Sequence, residues 1–404
     1  MIALRKDKFR EIVLYAYYNT EYYRKIYDEK RINVESAGKD SFPYLTQLEL
    51  IENAKKIKAR DENIFRVSSS SGTTNHPKTL YRTQEDFDYS VKLMRKLLDD
   101  TGITNKDIVY IGQPFDLASF GYLVLEGCKQ IGAMSIPGGL GLSDDKMLEL
   151  ILYYEANIIM TAPSRMKRLT DIVKKEKMDS RREKIISLVD KIVLAGEPLE
   201  EYDRKELQRF WNSTIFNYYG SEETDSLGMA KDGECIKLLD EGFEFEFIDL
   251  GNEIYELIIT SLYHKGTPLI KYKIGDLVKY YGKKEGSHLV KVIGKNMDYI
   301  KLYDGVKLYA YQISEYIKNY IPEFSGFQIL YKKEEYIDVV TVLIKSNCVQ
   351  DKEIEKCLEE NVWNASIDLD ALRTIGNTKF QFLVNKEDFI MTRRGKTPKV
   401  VYLK

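Results

Sequence analysis

The chain is poor in the residues that build metal clusters and disulfide frameworks. Four cysteines, Cys128, Cys235, Cys348 and Cys357, are spread over 404 residues with no CxxC pair. That spacing excludes a disulfide scaffold and a four-thiolate zinc site, and it fits a reducing compartment. Histidine is scarcer still, with only His76, His264 and His288. Their small number argues against a His-built metal site and an HExxH helix. His76 reads as a loop residue. His264 and His288 lie in polar turn contexts and read as solvated surface side chains. Net charge is lacking as well: 61 Lys+Arg against 63 Asp+Glu leave a formal charge of -2. No basic field therefore points to nucleic acid. The opening MIALRKDKFREIVLYAYY has no apolar run long enough for a signal peptide or a membrane span. The expected compartment is the cytoplasm.

What remains is an ordinary globular composition, 44% hydrophobic and 31% charged, long enough for two or three domains. Residues 5–30 read as two helices broken at Thr20. Thr46 and Thr83 read as caps of LELIENAKK and TQEDFDYSVKLMRKLLDD. From residue 107 short apolar runs (IVYI, AMSI, NIIMT, KIVLA, TIFNY) alternate with helical patterns. That alternation predicts a parallel sheet covered on both faces, with ligands beyond the carboxyl ends of its strands. After about residue 230, FEFEFID, EIYELIIT, LIKYKI and LVKYY alternate apolar and polar residues between turn residues, which predicts an antiparallel region. Residues 297–404 read as a separate α+β domain. The expected fold is α/β: a large domain over 1–296, with mostly parallel sheets under helices and a β-rich subregion, plus a small mobile domain over 297–404.

One stretch can pack no core: Val67–Lys78, VSSSSGTTNHPK. Taken alone, it is either a solvated linker or a loop that wraps an anion with backbone N–H groups, hydroxyls and the Lys78 charge. It is not a Walker A loop, because GxxxxGK[ST] is absent. Taken singly, Glu223 after a strand, Asp276 after a glycine and Lys396 in a basic run read equally well as a helix cap, a turn residue and a solvated end.

Read in order, however, the punctuation of the chain resembles the adenylate-forming enzymes: acyl-CoA synthetases, aryl-acid ligases and nonribosomal-peptide adenylation domains, above all the phenylacetate–CoA ligase branch. YAYYNTEYYRKIYDE resembles the opening helices of that branch. Ser69–Lys78 is similar to the family's phosphate loop, and Gly196-Glu197-Pro198 to the turn along the adenine. Tyr219–Glu223 resembles Tyr-Gly-x-Thr-Glu, and Tyr272–Asp276 resembles Tyr-Arg-Thr-Gly-Asp. Gly294–Lys301 resembles the interdomain hinge, and Arg394-Gly395-Lys396 the C-terminal Gly-Lys motif. No single match is specific; their shared order is.

The resemblance implies ATP-dependent activation of a carboxylic acid to an acyl adenylate, with release of pyrophosphate. Transfer to a thiol would follow, on coenzyme A or on a carrier-protein phosphopantetheine. ATP and AMP would be held by Ser69, Ser70, Ser71, Gly72, Thr73, Thr74, Lys78, Gly196, Glu197, Pro198, Tyr218, Tyr219, Gly220, Ser221, Asp276 and Lys295. Tyr219 would stack on adenine and Asp276 would accept both ribose hydroxyls. Glu223 would hold Mg²⁺, and Lys396 would be the catalytic lysine at the acyl carboxylate and α-phosphate. Met297 or Asp298 would be the hinge. Phe115, Phe120, Tyr122 and Tyr218 are candidates for the acid pocket, which fits a small aromatic or otherwise apolar acid; Asp116 is a clue to an amino acid instead.

The chain also departs from the family pattern. Asn75 stands where the loop usually has Gly, Glu222 where Thr or Ser is usual, Lys295 where the hinge region has Arg, and Lys273 and Ile274 within the Tyr-Arg-Thr-Gly-Asp motif. A second carboxylate at Glu222 would repel phosphate unless it points away or helps to bind metal. Cys235 matches one position of a zinc site found in some relatives, but its partners are missing, so no zinc is expected. Neither nucleic acid nor membrane is an expected partner, and a homodimer is left open. The rivals are an adenylation enzyme that loads a carrier protein or an amine, and a nucleotide-binding module that has lost catalysis.

Overall fold

The computed structural model describes residues 2–60, 62–69, 78–175, 180–302, 305–346, 352–365, 367–391 and 397–403. The chain forms two compact units, Met1–Leu199 with Arg204–Lys291, and Glu200–Asp203 with Val292–Lys404.

The first unit opens on α1 (Ile2–Asn19) and α2 (Glu21–Glu29). Thr20 parts them as expected, its hydroxyl accepting the Tyr23 N–H at 3.2 Å. A capping box of Thr46 and Glu49 starts α3 (Gln47–Glu52). The pattern then breaks at Asn53 and resumes as α4 (Ala54–Ile57). β1 (Ile64–Ser69) and β2 (Thr79–Thr83) pair antiparallel, with Ser69 opposite Thr79. Periodicity does not predict these strands, because serine, threonine and arginine fill positions where alternation would show. They flank residues 70–77, which lie outside the described residues. Thr83 and Asp86 form a second capping box, which starts α5 (Gln84–Asp100).

Then come β3 (Ile108–Ile111), α6 (Phe120–Ile131), β4 (Met134–Ile136), α7 (Asp144–Tyr154), β5 (Ile158–Thr161), α8 (Pro163–Lys175), α9 (Ser180–Leu188), β6 (Lys191–Leu194), α10 (Glu201–Trp211) and β7 (Thr214–Ser221). The sequence predicts all of these but α9, whose SRREKIISL is too polar to show a face. The strands are parallel, and their two-residue period divides them between two cores. Val109, Ile111, Ile158, Met160, Val193 and Phe216 face a core shared with α1, α2, α5 and α6. Tyr110, Ile159, Ile192, Leu194 and Ile215 face one built with α7, α8, α9 and α10.

After β7 the chain reverses into β8 (Asp225–Lys231), β9 (Ile236–Leu238), β10 (Phe243–Asp249), β11 (Ile254–Ser261), β12 (Tyr272–Lys284) and β13 (Ser287–Lys295). The parallel sheet and the antiparallel region are two halves of one 11-stranded sheet, ordered β10-β11-β12-β13-β9-β8-β7-β6-β5-β3-β4. LIKYKI and LVKYY are not separate strands. Gly275 adopts φ +83°, and a register shift between Glu256 and Ile258 carries β12 through the apparent turn. Asp276 is consequently a buried strand residue.

The second unit has a hairpin of β14 (Tyr299–Lys301) and β15 (Lys307–Tyr309), followed by α11 (Ala310–Tyr320). Next are β16 (Phe324–Glu334), β17 (Ile337–Ser346), α12 (Lys352–Asn361), α13 (Ile367–Ile375), β18 (Thr378–Val384) and β19 (Val400–Tyr402). Its 4-stranded sheet, β18-β17-β16-β19, covers a separate core that includes Ile313, Ile317, Ile329, Val342 and Phe382. Among the described residues no helix is long and apolar enough to cross a membrane.

Candidate active site

β7 ends in Tyr218-Tyr219-Gly220-Ser221, turns through Glu222-Glu223-Thr224, and returns as β8 from Asp225. The turn is tight. A Cβ on Gly220 would lie 2.1 Å from the Asp225 carbonyl oxygen, so only glycine fits. Asp225 itself takes φ +56°, a left-handed conformation that Asp tolerates better than most residues.

This turn buries the Glu223 side chain. Its Oε1 accepts from Lys78 Nζ at 2.6 Å and from the Tyr272 hydroxyl at 2.9 Å. Burial alone would raise the carboxyl pKa; the Lys78 charge and hydrogen bond, helped by Tyr272, outweigh it and hold the group down at about 2. Glu223 is therefore a fixed anion. Arg82 approaches from behind, donating through Nη2 to the carbonyls of Glu222 at 3.1 Å and Glu223 at 2.8 Å.

Glu222 turns the other way. Its Oε2 accepts the Ser119 N–H at 3.0 Å, at the start of α6. The carboxylate meets a helix N-terminus, where negative charge is favoured. Burial, with the Asp225 charge next, pushes its pKa up from 4.5 to about 7.

Beside the turn, the Tyr219 hydroxyl donates to Asp276 Oδ2 at 2.6 Å, which joins two residues named from separate motifs. Tyr218 is buried, its hydroxyl donating to the Asp225 carbonyl at 3.1 Å. Its ring lies 4.4 Å from that of Phe120. Phe115 packs edge-on against Tyr122 at 5.2 Å, and the Arg66 guanidinium sits 4.5 Å over the Tyr122 ring. The four aromatic candidates thus form two ring pairs about the start of α6. At the end of β6, Gly196 has φ +87°. The Glu197 carboxylate accepts the backbone N–H and hydroxyl of Ser164 at 3.0 and 2.9 Å, tying that turn to the first residues of α8. Ser221 pairs its hydroxyl with Thr224 at 3.0 Å.

The remaining expectations fall elsewhere. Ser70, Ser71, Gly72, Thr73, Thr74 and Lys396 lie outside the described residues. Lys295, Met297 and Asp298 belong to the second unit, where the Asp298 N–H donates to the Lys295 carbonyl at 3.1 Å and Met297 is exposed. Two histidine expectations are overturned. His264 is fully buried, with Nε2 3.3 Å from Asp225 Oδ2, and His288 is mostly buried, with Nδ1 2.8 Å from Asp240 Oδ1. The polar neighbours that make these stretches look like surface turns are the partners that allow burial. Sequence reasoning missed Arg82, Ser90, Asp225 and His264, and gave Tyr272 no role of its own. Nothing in TLYRT or SLYHKG marks those residues, because their partners are far away along the chain.

The family model described as AMP-binding enzyme matches residues 14–240. A phenylacetate–coenzyme A ligase from Aromatoleum evansii is 26% identical over 370 residues, covering 85% of this chain and 81% of the relative. The Escherichia coli K12 protein of the same name is 23% identical over 363 residues, covering 85% of this chain and 82% of that protein. Among solved structures, a 2-hydroxyisobutyryl-CoA ligase in complex with 2-HIB-AMP superposes with TM-score 0.74 at 15% identity, over 98% of this chain and 88% of that one. It is the fold that this last likeness shares. With more than half its length matched by the family model, the chain belongs to the AMP-binding enzyme family.

Proposed function

We propose that this protein is an AMP-forming acid–thiol ligase that joins a small, apolar and most naturally aromatic carboxylic acid to coenzyme A. In the first step an oxygen of the acid attacks the α-phosphorus of ATP. The new O–P bond gives an acyl adenylate, and the bond to pyrophosphate breaks. In the second step a thiolate attacks the acyl carbon, the thioester forms, and AMP leaves.

The observation that carries this reading is the joint placement, around the carboxyl end of β7, of the Lys78–Glu223–Tyr272 cluster and the Tyr219–Asp276 pair. Two anions must meet here, so charge has to be neutralised in advance. Lys78 is positioned to pass from the Glu223 carboxylate to a phosphate oxygen. Glu223 then presents a carboxylate already ionised. Asp276 offers oxygens to ribose hydroxyls, with Tyr219 holding its orientation and lending a ring face to the base. Among the described residues no group of three or more His, Cys, Asp or Glu side chains is placed to hold a metal. One ionised carboxylate plus the phosphates of ATP nevertheless suits Mg²⁺, which keeps several waters; bound there, it would neutralise the departing pyrophosphate. Lys396 keeps the role that the family resemblance gives it, positive charge at the α-phosphate. The ring pairs Phe120–Tyr218 and Phe115–Tyr122, together with the phenylacetate-acting names of the relatives, favour an aromatic acid. A cytoplasmic location supplies both ATP and coenzyme A.

Acid-dependent exchange of labelled pyrophosphate into ATP, run over aryl, fatty and amino acids, tests the first step. Mass analysis of the product with coenzyme A tests the second. Exchange restricted to small aryl acids is the expected result. No exchange with any acid, under conditions where ATP still binds, would overturn the proposal.

A further inference from the structure

We infer that Arg82 is a positioning residue for adenylation: from β2 it fixes the backbone of the Glu222–Glu223 turn, and through it the Glu223 carboxylate, with Asp225 as its buried counter-ion. The inference rests on the reading of Glu223 as a group that acts on the ATP phosphates.

Lys78 directly precedes β2, and Arg82 lies within it four residues on. They reach the same turn from different sides. Lys78 meets the Glu223 side chain at 2.6 Å. Arg82 meets the two carbonyls of the turn through one nitrogen, and its Nε lies 3.5 Å from Asp225 Oδ2. Asp225 is where the chain reverses in a left-handed conformation, which a non-glycine residue keeps only when its surroundings hold it. They do: Ser90 donates to Oδ2 at 2.8 Å, His264 Nε2 lies 3.3 Å away, and the Tyr218 hydroxyl donates to its carbonyl. Burial and the Arg82 charge lower the pKa of His264, and Arg82 is the guanidinium that faces the Asp225 carboxylate.

The platform beneath Arg82 is itself anchored. The Tyr81 N–H donates to Thr267 Oγ1 at 2.8 Å, and Asp86, at the start of α5, accepts the N–H groups of Lys265 and Gly266 at 2.8 and 2.9 Å. A buried ion pair is weak support for stability, since well-packed apolar residues serve as well or better. What a planar guanidinium adds is geometry: Nη2 donates to both carbonyls while Nε, held in the same plane, faces the Asp225 carboxylate as an ion pair. A site's functional group is held to the needed tolerance only when its support is itself locked.

The test is a double-mutant cycle in the pyrophosphate-exchange assay with wild type, Arg82→Lys, Glu223→Gln and the double variant. Lysine keeps the charge and loses the fork. Arg82→Lys is expected to lower kcat about 10- to 100-fold and to raise the Mg²⁺ concentration needed for half-maximal rate, with the KM of the acid within about twofold. In the Glu223→Gln background the same change should alter the rate by no more than about twofold, because the group being positioned is gone. Full multiplication of the two losses, or a loss confined to the KM of the acid, would overturn the inference while leaving the Glu223 reading intact. An unimpaired Glu223→Gln enzyme would overturn both. If Arg82→Lys fails to fold, Ser90→Ala, which removes one hydrogen bond to Asp225, carries the same cycle. A loss of about threefold that vanishes beside Glu223→Gln supports the inference, and an additive one refutes it.

Discussion

The two halves of the 11-stranded sheet both bury apolar side chains but differ in the charge they bury with them. In the parallel half, Val109, Tyr110, Ile111, Ile158, Ile159, Met160, Ile192, Val193 and Leu194 fill both faces. In the antiparallel half and the segments packed on it, Glu223, Asp225, Glu256, His264, Lys271 and Asp276 are buried too. A buried charge is costly unless it is paired and hydrogen-bonded, so each of these needs a partner brought from elsewhere. The strands of the parallel half are met mainly by apolar neighbours and the sheet's own ladder. One half is thus a scaffold that many sequences could build, and the other is a constellation that tolerates little change. β7 is the seam between them: Ile215 and Phe216 serve the two cores, and Tyr218 to Ser221 lead into the charged turn.

The sharpest test of this division lies on the seam, where adjacent carboxylates are pushed in opposite directions. Glu223 falls to about 2, and Glu222 rises to about 7. For Glu223 the folded pKa is below the unfolded one, so its contribution to stability is present above pH 4.5 and is lost as pH falls toward 2. For Glu222 the folded pKa is above the unfolded one. The folded state then binds the extra proton between pH 4.5 and 7, and stability declines as pH rises through that window. Glu222→Gln keeps an acceptor for the Ser119 N–H and removes the charge. It should therefore be more stable than wild type at pH 8, by up to about 3 kcal/mol, and equal to it below pH 4.5. Urea denaturation at both pH values measures this. A variant less stable at pH 8 would mean that the charge at the start of α6 outweighs its burial, and the assignment of Glu222 would fall.

Much of this division is legible in the sequence, but unevenly. The parallel half is written in local pattern, since a run such as NIIMT between helical segments has one good reading and the helix caps at Thr20, Thr46 and Thr83 stand on their own. The site is legible only as order along the chain. Glu223, Tyr219 and Asp276 stand out because of a family resemblance, and periodicity alone would leave Asp276 in a turn when it lies inside β12. What supports them stays hidden. Arg82 meets Glu223 across 141 positions, and Lys265 meets Asp86 across 179. Contacts at such separations leave no local signature. The same applies to His264, whose polar neighbourhood describes a surface loop as well as it describes a buried network.

A smaller effect separates support from chemistry within the charged half. The Tyr219 hydroxyl makes a charge-assisted bond to Asp276 at 2.6 Å. Tyr219→Phe keeps the ring face and removes one hydrogen bond that orients Asp276. The KM for ATP should rise about tenfold, with kcat within about twofold, because binding of the ribose is weakened equally in ground and transition states. ATP saturation curves at saturating acid measure this. Equal losses in kcat would show that Asp276 acts on the reacting phosphate and not on the ribose.

The smallest effect tests the scaffold. Ile159 is fully buried in β5, in register with Tyr110 on β3 and Ile192 on β6. It faces the core built with α7, α8, α9 and α10, which is separated by the sheet from Tyr218 and Phe120 on the other side. Ile159→Val removes one methyl group and leaves a small cavity, a loss of about 1 kcal/mol. That loss should appear as a lower urea midpoint at unchanged slope, while kcat and both KM values per folded molecule stay as in wild type. The strand hydrogen bonds do not depend on that methyl, so the end of the neighbouring strands should stay where it is. A change in kcat from so small a hole, on the face away from the aromatic pairs, would show that the parallel half tunes the site as well as carrying it, and the contrast between scaffold and constellation would have to be abandoned.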